Sequence, residues 1–140
     1  MSSSTQSATC AWGAVRLSYT GSPVGKCICH CLSCRKASGS TNALNLIVPA
    51  AKISIVSEAE LGQFSYTANN GNRVTRYFCR RCGINMYSDG EGAPGVHFVR
   101  AGTLDDEGGL EKSRPEVEIF VSRRAAWLAE VEGCGQKLEM

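Results

Sequence analysis

The sequence lacks any run approaching the ~18 apolar residues of a membrane span, so no transmembrane helix and no membrane partner are expected. It also has almost no surplus charge. Lys plus Arg number 15 and Asp plus Glu 13, a net +2, too little to argue for a nucleic-acid partner. Met1 to Thr9 contain neither the apolar stretch of a secretory signal nor the arginines of a transit peptide. They read as a short mobile tail, and a cytoplasmic location is expected. Disorder is excluded for the remainder. Of 140 residues, 43% are hydrophobic and only 20% charged, enough to bury the core of one domain.

Cysteine is in excess. Eight occur: Cys10, Cys27, Cys29, Cys31, Cys34, Cys79, Cys82 and Cys134. A disulfide framework is disfavoured because there is no export signal. Cys27 to Cys34 hold half of the thiols, at spacings poorly suited to bridging one another. Clustered thiols in a reducing compartment point to metal, and to zinc first.

Short strands separated by turn signals dominate the chain. Val15, Leu17 and Tyr19 alternate with Ala14, Arg16 and Ser18, a half-buried strand closed by Gly21, Ser22 and Pro23. Further strands are predicted over residues 24–30, 42–48, 52–56, 84–88, 96–101 and 117–121. Residues 63–68 and 73–79 flank Asn70-Gly71 and form the clearest hairpin. Two short helices are predicted, one over 32–37 ending near Gly39. The other starts at Ser122 as N-cap, runs through Trp127 to about Val131, and ends at Gly133. The fold class is mainly β, with antiparallel strands and one or two short helices. The domain is read as 10–133, with 1–9 and 134–140 as tails.

Two cysteine constellations carry the chemistry. Cys29-His30-Cys31-Leu32-Ser33-Cys34 is a C-x-C-x-x-C pattern. Cys29 and Cys31 share one face of an extended segment, and a one-turn loop returns Cys34 beside them. Such a set can converge on one tetrahedral metal and leave its fourth position open, as catalytic zinc requires. The alternative is a closed site completed by Cys27 or His30. His30 points away from the cysteine face of an extended segment, which favours a core role. Cys79-Arg80-Arg81-Cys82-Gly83 is a C-x-x-C knuckle whose glycine suits a turn of positive φ. It needs partners, and the nearest unused thiols are Cys10 and Cys27. Arg35, Lys36, Ser38 and Ser40 follow the first cluster and can meet carboxylates or an oxyanion, or simply cap the loop.

Cys29 to Ser40 (CHCLSCRKASGS), Arg76 to Gly83 (RYFCRRCG), Arg100 to Asp106 (RAGTLDD) and Arg123 to Leu128 (RRAAWL) together resemble the glutathione-dependent formaldehyde-activating enzyme family, which includes centromere protein V. Cys10-x-x-Gly13-Ala14-Val15-Arg16 fits as well. The resemblance implies a zinc-containing β-tent with two zinc sites, hence one or two Zn²⁺ per chain. It implies Cys29, Cys31 and Cys34 as catalytic-zinc ligands, and Cys10, Cys79 and Cys82 as ligands of a structural zinc. One position departs: the family's second N-terminal cysteine is Trp12 here. Either Cys27 supplies the missing sulfur, or water does, or the site is weak or empty; if not a ligand, Cys27 is a buried apolar thiol.

The function implied is that of a carbon–sulfur lyase joining or releasing a small thiol, glutathione, and an aldehyde such as formaldehyde. The adduct would be S-hydroxymethylglutathione. Two alternatives stay open. One is a zinc-dependent lyase, dehydratase or isomerase acting on a larger metabolite, as in secondary metabolism. The other is a non-enzymatic, zinc-stabilised interaction module.

Overall fold

Period-two alternation builds this protein, and the computed structural model describes residues 4–56 and 58–140 of it. Its strands are β1 (Thr5–Thr9), β2 (Arg16–Thr20), β3 (Gly25–Cys29), β4 (Ala43–Pro49), β5 (Ile53–Val56) and β6 (Leu61–Thr67). They continue as β7 (Arg73–Cys79), β8 (Asn85–Gly90), β9 (Val96–Arg100), β10 (Val117–Ile119) and β11 (Gly135–Gln136). The short helices are α1 (Leu32–Ser38) and α2 (Gly109–Lys112).

The strands form two sheets. The smaller has the order β1-β2-β5, and the larger the order β11-β10-β3-β4-β9-β8-β7-β6. The fold is mainly β, as the alternation predicts. Most pairings are antiparallel, as expected, and β10 runs parallel to both β3 and β11.

The core lies between the sheets. Val15, Leu17 and Tyr19 on and beside β2 meet Leu46 and Val48 of β4, Val99 of β9, and Met86 and Tyr87 of β8. Tyr77 and Tyr87 stack at 4.4 Å between centroids on this same side.

The opposite face of the large sheet carries different chemistry. Directly opposed residues on paired strands project from one face. Cys27, Asn45 and Arg100 therefore form one row across β3, β4 and β9. Phe98, Ser88, Arg76 and Phe64 form a second row across β9, β8, β7 and β6. Helix α1 follows the end of β3 after His30 and Cys31.

Two tail expectations are corrected. Thr5 to Thr9 is not a mobile tail: it pairs with β2 in antiparallel register, and Ala8 is wholly buried. Met1 to Ser3 lie outside the described residues. At the other end, Gly135–Gln136 pairs with β10. The predicted helix from Ser122 to Val131 is also absent. Only Val121–Arg123 forms a 3-10 turn, and Arg124 is already extended at φ −60°, ψ 136°. The polar groups of this segment turn to Glu118 instead of to a helical ladder. Val131 N–H donates to its carboxylate at 2.8 Å and Gln136 Nε2 at 2.7 Å. Helix α2, which carries no apolar repeat in its four residues, was not predicted.

Candidate metal centres

Strand β3 delivers Cys29 at its last position, and α1 supplies the rest of the first cluster. Cys31 is the N-cap of α1, where Ser, Thr, Asp or Asn is usual, and its sulfur accepts the Cys34 N–H at 3.4 Å. Gly39, in the left-handed region, ends the helix as expected. The sulfurs of Cys29, Cys31 and Cys34 all lie within 4.8 Å of one another. Tetrahedral zinc with Zn–S bonds near 2.3 Å sets sulfurs about 3.8 Å apart, so the set fits this ion. Cys29 is buried, whereas Cys31 and Cys34 are half-buried. One side of the set thus faces outward.

The three thiols share protons. Hydrogen bonds from Cys29 and Cys34 hold Cys31 down at about 2. Cys29 is pushed far up, first by donating to Cys31. Cys34 is pulled down by Cys29, but its bond to Cys31 and burial outweigh this and leave it at about 11. This balance favours thiolate at Cys31 over Cys29 and Cys34.

The second cluster forms between two facing turns. Cys10, Cys79 and Cys82 also have their sulfurs within 4.8 Å of one another. Gly13 at φ 86° and Gly83 at φ 78° shape these turns, a region that a side chain adopts only with strain. The turns aim backbone N–H groups at sulfur. Val15 N–H reaches Cys10 at 3.3 Å, and Arg81 N–H reaches Cys79 at 3.4 Å. Burial raises the Cys79 thiol. Burial also acts to raise Cys82, but the N–H groups of Ile84 and Trp12 help to bring it down to about 7. Such donors favour thiolate and hence a bound cation. The Trp12 side chain itself is 67% exposed. No fourth Cys, His, Asp or Glu joins either set among the described residues.

The remaining candidates fall elsewhere. Cys27 stands in neither set. Burial lifts its thiol to about 11, and the nearby charges acting on it are Cys34 and Arg100, not Cys10 or Cys79. It thus lies beside the first cluster rather than completing the second. His30 is wholly buried, with Nε2 2.8 Å from Glu118 Oε1. That matches a core role. Arg35, Lys36, Ser38 and Ser40 are exposed. Ser38 Oγ donates to Asn42 O at 2.8 Å and receives the Ser40 N–H at 3.2 Å, a loop-capping arrangement. Two surface cavities, of about 300 and 410 Å³, have no cysteine in their lining.

Two arginines that sequence reasoning left without a role stand beside the first cluster. Arg76 donates to Ser33 O at 2.7 Å and to Ser33 Oγ, in the loop between Cys31 and Cys34. Its guanidinium also lies 4.9 Å from the centre of the Tyr66 ring. Arg100 donates from Nε to Asn85 Oδ1 at 2.8 Å and from a terminal nitrogen to Asn45 Oδ1. Burial draws the Arg100 guanidinium below its ordinary value, while the Cys34 and Cys29 charges act to raise it. A signal was present: each arginine opens a stretch that carries the family resemblance.

Fold and site together define a class, a mainly β protein built around two three-cysteine sets that can each hold a metal. A family model described as glutathione-dependent formaldehyde-activating enzyme matches residues 5–123. The chain belongs to this family. A putative glutathione-dependent formaldehyde-activating enzyme of Sordaria macrospora is 25% identical over 125 residues, covering 79% of this chain and 52% of the relative. The chain thus spans about half the length of that curated relative. A crystal structure of a Rhodobacter sphaeroides protein shares the fold, with a TM-score of 0.62 and 18% identity over 78% of this chain and 96% of that one.

Proposed function

We propose that this chain is a zinc-dependent carbon–sulfur lyase that joins glutathione and formaldehyde, or releases them from their adduct. The observation that carries this reading is the Cys29, Cys31 and Cys34 set, partly exposed at Cys31 and Cys34, with three donors for a four-coordinate ion. Zinc held there would lower the pKa of a thiol in its fourth position and so supply thiolate at neutral pH. In the addition, a bond forms between thiol sulfur and aldehyde carbon, and the carbon–oxygen π bond breaks. The oxygen gains one proton and the thiol loses one. The chain's own part is to hold the donors. Strand β3 fixes Cys29, and the first turn of α1 fixes Cys31 and Cys34. We assign Cys10, Cys79 and Cys82 to a structural zinc, and a reducing, cytoplasmic setting suits the free thiols.

The test follows ¹³C-formaldehyde by NMR with glutathione and zinc-loaded protein. The account expects adduct exchange faster than in buffer, lost in Cys29→Ser, Cys31→Ser and Cys34→Ser. Exchange at the buffer rate with formaldehyde, but acceleration with a bulkier aldehyde, would move the assignment to a larger metabolite. Acceleration with neither would favour the interaction module.

A further inference from the structure

We propose that Arg76 and Arg100 form a carboxylate-binding subsite beside the Cys29, Cys31 and Cys34 set, which selects thiols that carry a carboxylate. The proposal rests on the reading of that set as a thiol site.

The geometry is specific. Both arginines project from the same face of the large sheet as Cys27 and Cys29, in adjacent rows. Arg76 is tied to the Cys31–Cys34 loop through Ser33, and Arg100 is held by the side-chain oxygens of Asn45 and Asn85. All of these partners are neutral. Among the described residues, neither arginine has a carboxylate within ion-pair distance, although Arg81, Lys112 and Arg124 each do. Guanidiniums held in place but not paired with acids are a usual recognition element for a planar carboxylate. Asn45 and Asn85 orient one fork, and Ser33 and the Tyr66 ring orient the other, so little side-chain entropy remains to be lost on binding.

A competing role is charge compensation alone. Three thiolates and one Zn²⁺ leave one negative charge, and an entering thiolate adds another. Two guanidiniums could balance that pair without touching substrate. The roles differ in outcome: compensation acts on every thiol, whereas a carboxylate subsite discriminates between thiols.

Calorimetric titration of zinc-loaded protein with glutathione, its diethyl ester and S-methylglutathione separates these cases. S-methylglutathione keeps both carboxylates but has no free thiol. Native protein should bind glutathione at least about tenfold more tightly than the ester, the size expected for a charge-assisted pair. Arg76→Gln should erase most of that preference while changing ester affinity less than about twofold. Arg76→Lys, which keeps the charge but loses the planar fork, should recover part of it, and Arg100→Gln should resemble Arg76→Gln. Native protein should bind S-methylglutathione measurably, and Arg76→Gln should weaken that binding. Equal loss for glutathione and ester in folded Arg76→Gln would overturn the subsite in favour of compensation. So would native protein that binds both thiols but not S-methylglutathione. If S-methylglutathione binds through Arg76 while neither free thiol gains from the zinc set, the subsite stands and the thiol reading falls.

Discussion

His30 Nε2 lies 2.8 Å from Glu118 Oε1, and both side chains are buried. This contact joins the cysteine-bearing strand to the C-terminal part of the chain. His30 N–H also donates to Ile119 O at 3.1 Å, so main chain and side chain lock the same crossing. Cys29 and Cys31 flank His30, and whatever holds this residue holds them. His30→Ala leaves the Glu118 carboxylate with one fewer donor in a dry site. The expected cost is about 3 kcal/mol of stability, read by chemical denaturation of metal-free protein. A cost under about 0.5 kcal/mol would mean that the contact positions nothing.

Glu118 gives stability a pH dependence. Burial acts to raise its carboxyl, but donors from Gln136, His30, Val131 and the Arg124 charge outweigh it and hold the group below its ordinary 4.5. A carboxylate lowered in the folded state stabilises fully above its unfolded value. That contribution is lost as pH falls below about 4.5 toward the lower folded value. Denaturation midpoints of native protein and Glu118→Gln should therefore converge as pH drops from 6 to 3, on the order of one such group's linkage. Parallel curves would contradict this.

Metal uptake at the Cys29, Cys31 and Cys34 set should also depend on pH, through the same proton linkage. Cys31 is held down while Cys29 and Cys34 are pushed up, so protons favoured on the latter two are the ones zinc must displace. The loaded state binds fewer protons, so affinity rises with pH. Displacing two protons implies about a hundredfold per pH unit near neutrality, measurable by competition with a chromogenic chelator. A flat profile would show that the thiols are not proton-bound in the free protein.

The second set should be structural. Cys79→Ser or Cys82→Ser should remove about one zinc per chain and lower the melting temperature by about 10 °C or more, because structural metal binding is coupled to folding. Cys27 stands near Cys34 and Arg100, so Cys27→Ser should leave this zinc in place. Trp12→Cys should tighten it, since Trp12 N–H already points at the Cys82 sulfur. Loss of that zinc in Cys27→Ser would return Cys27 to the ligand set.

Much of this architecture was legible in the sequence, for reasons that can be named. Leu17 and Tyr19 alternate with polar residues, and Asn70-Gly71 demands a tight turn, so strands β2, β6 and β7 follow from local rules. Cys29, Cys31 and Cys34 converge because strand period and helical turn fix their directions. Thr5 to Thr9 misled because a Ser/Thr-rich stretch reads as tail, while its order comes from pairing with a distant strand. Residues 122–131 misled because helical spacing competes with the Glu118 carboxylate, which local sequence does not reveal. Arg76 and Arg100 are not marked by local sequence for the same reason: their partners, Ser33, Asn45 and Asn85, come from other strands and loops.

The proposed chemistry requires an exchangeable fourth position at the Cys29, Cys31 and Cys34 site. Cobalt substitution reads it directly, because thiolate-to-cobalt charge transfer grows with the number of coordinated sulfurs. Protein carrying Co²⁺ at this site should show a near-ultraviolet band of three-sulfur intensity, rising by about a third when glutathione supplies the fourth donor to a tetrahedral ion. Cys34→Ser should reduce the starting band. A band already at four-sulfur intensity and unmoved by glutathione would show a closed site, and would contradict the account.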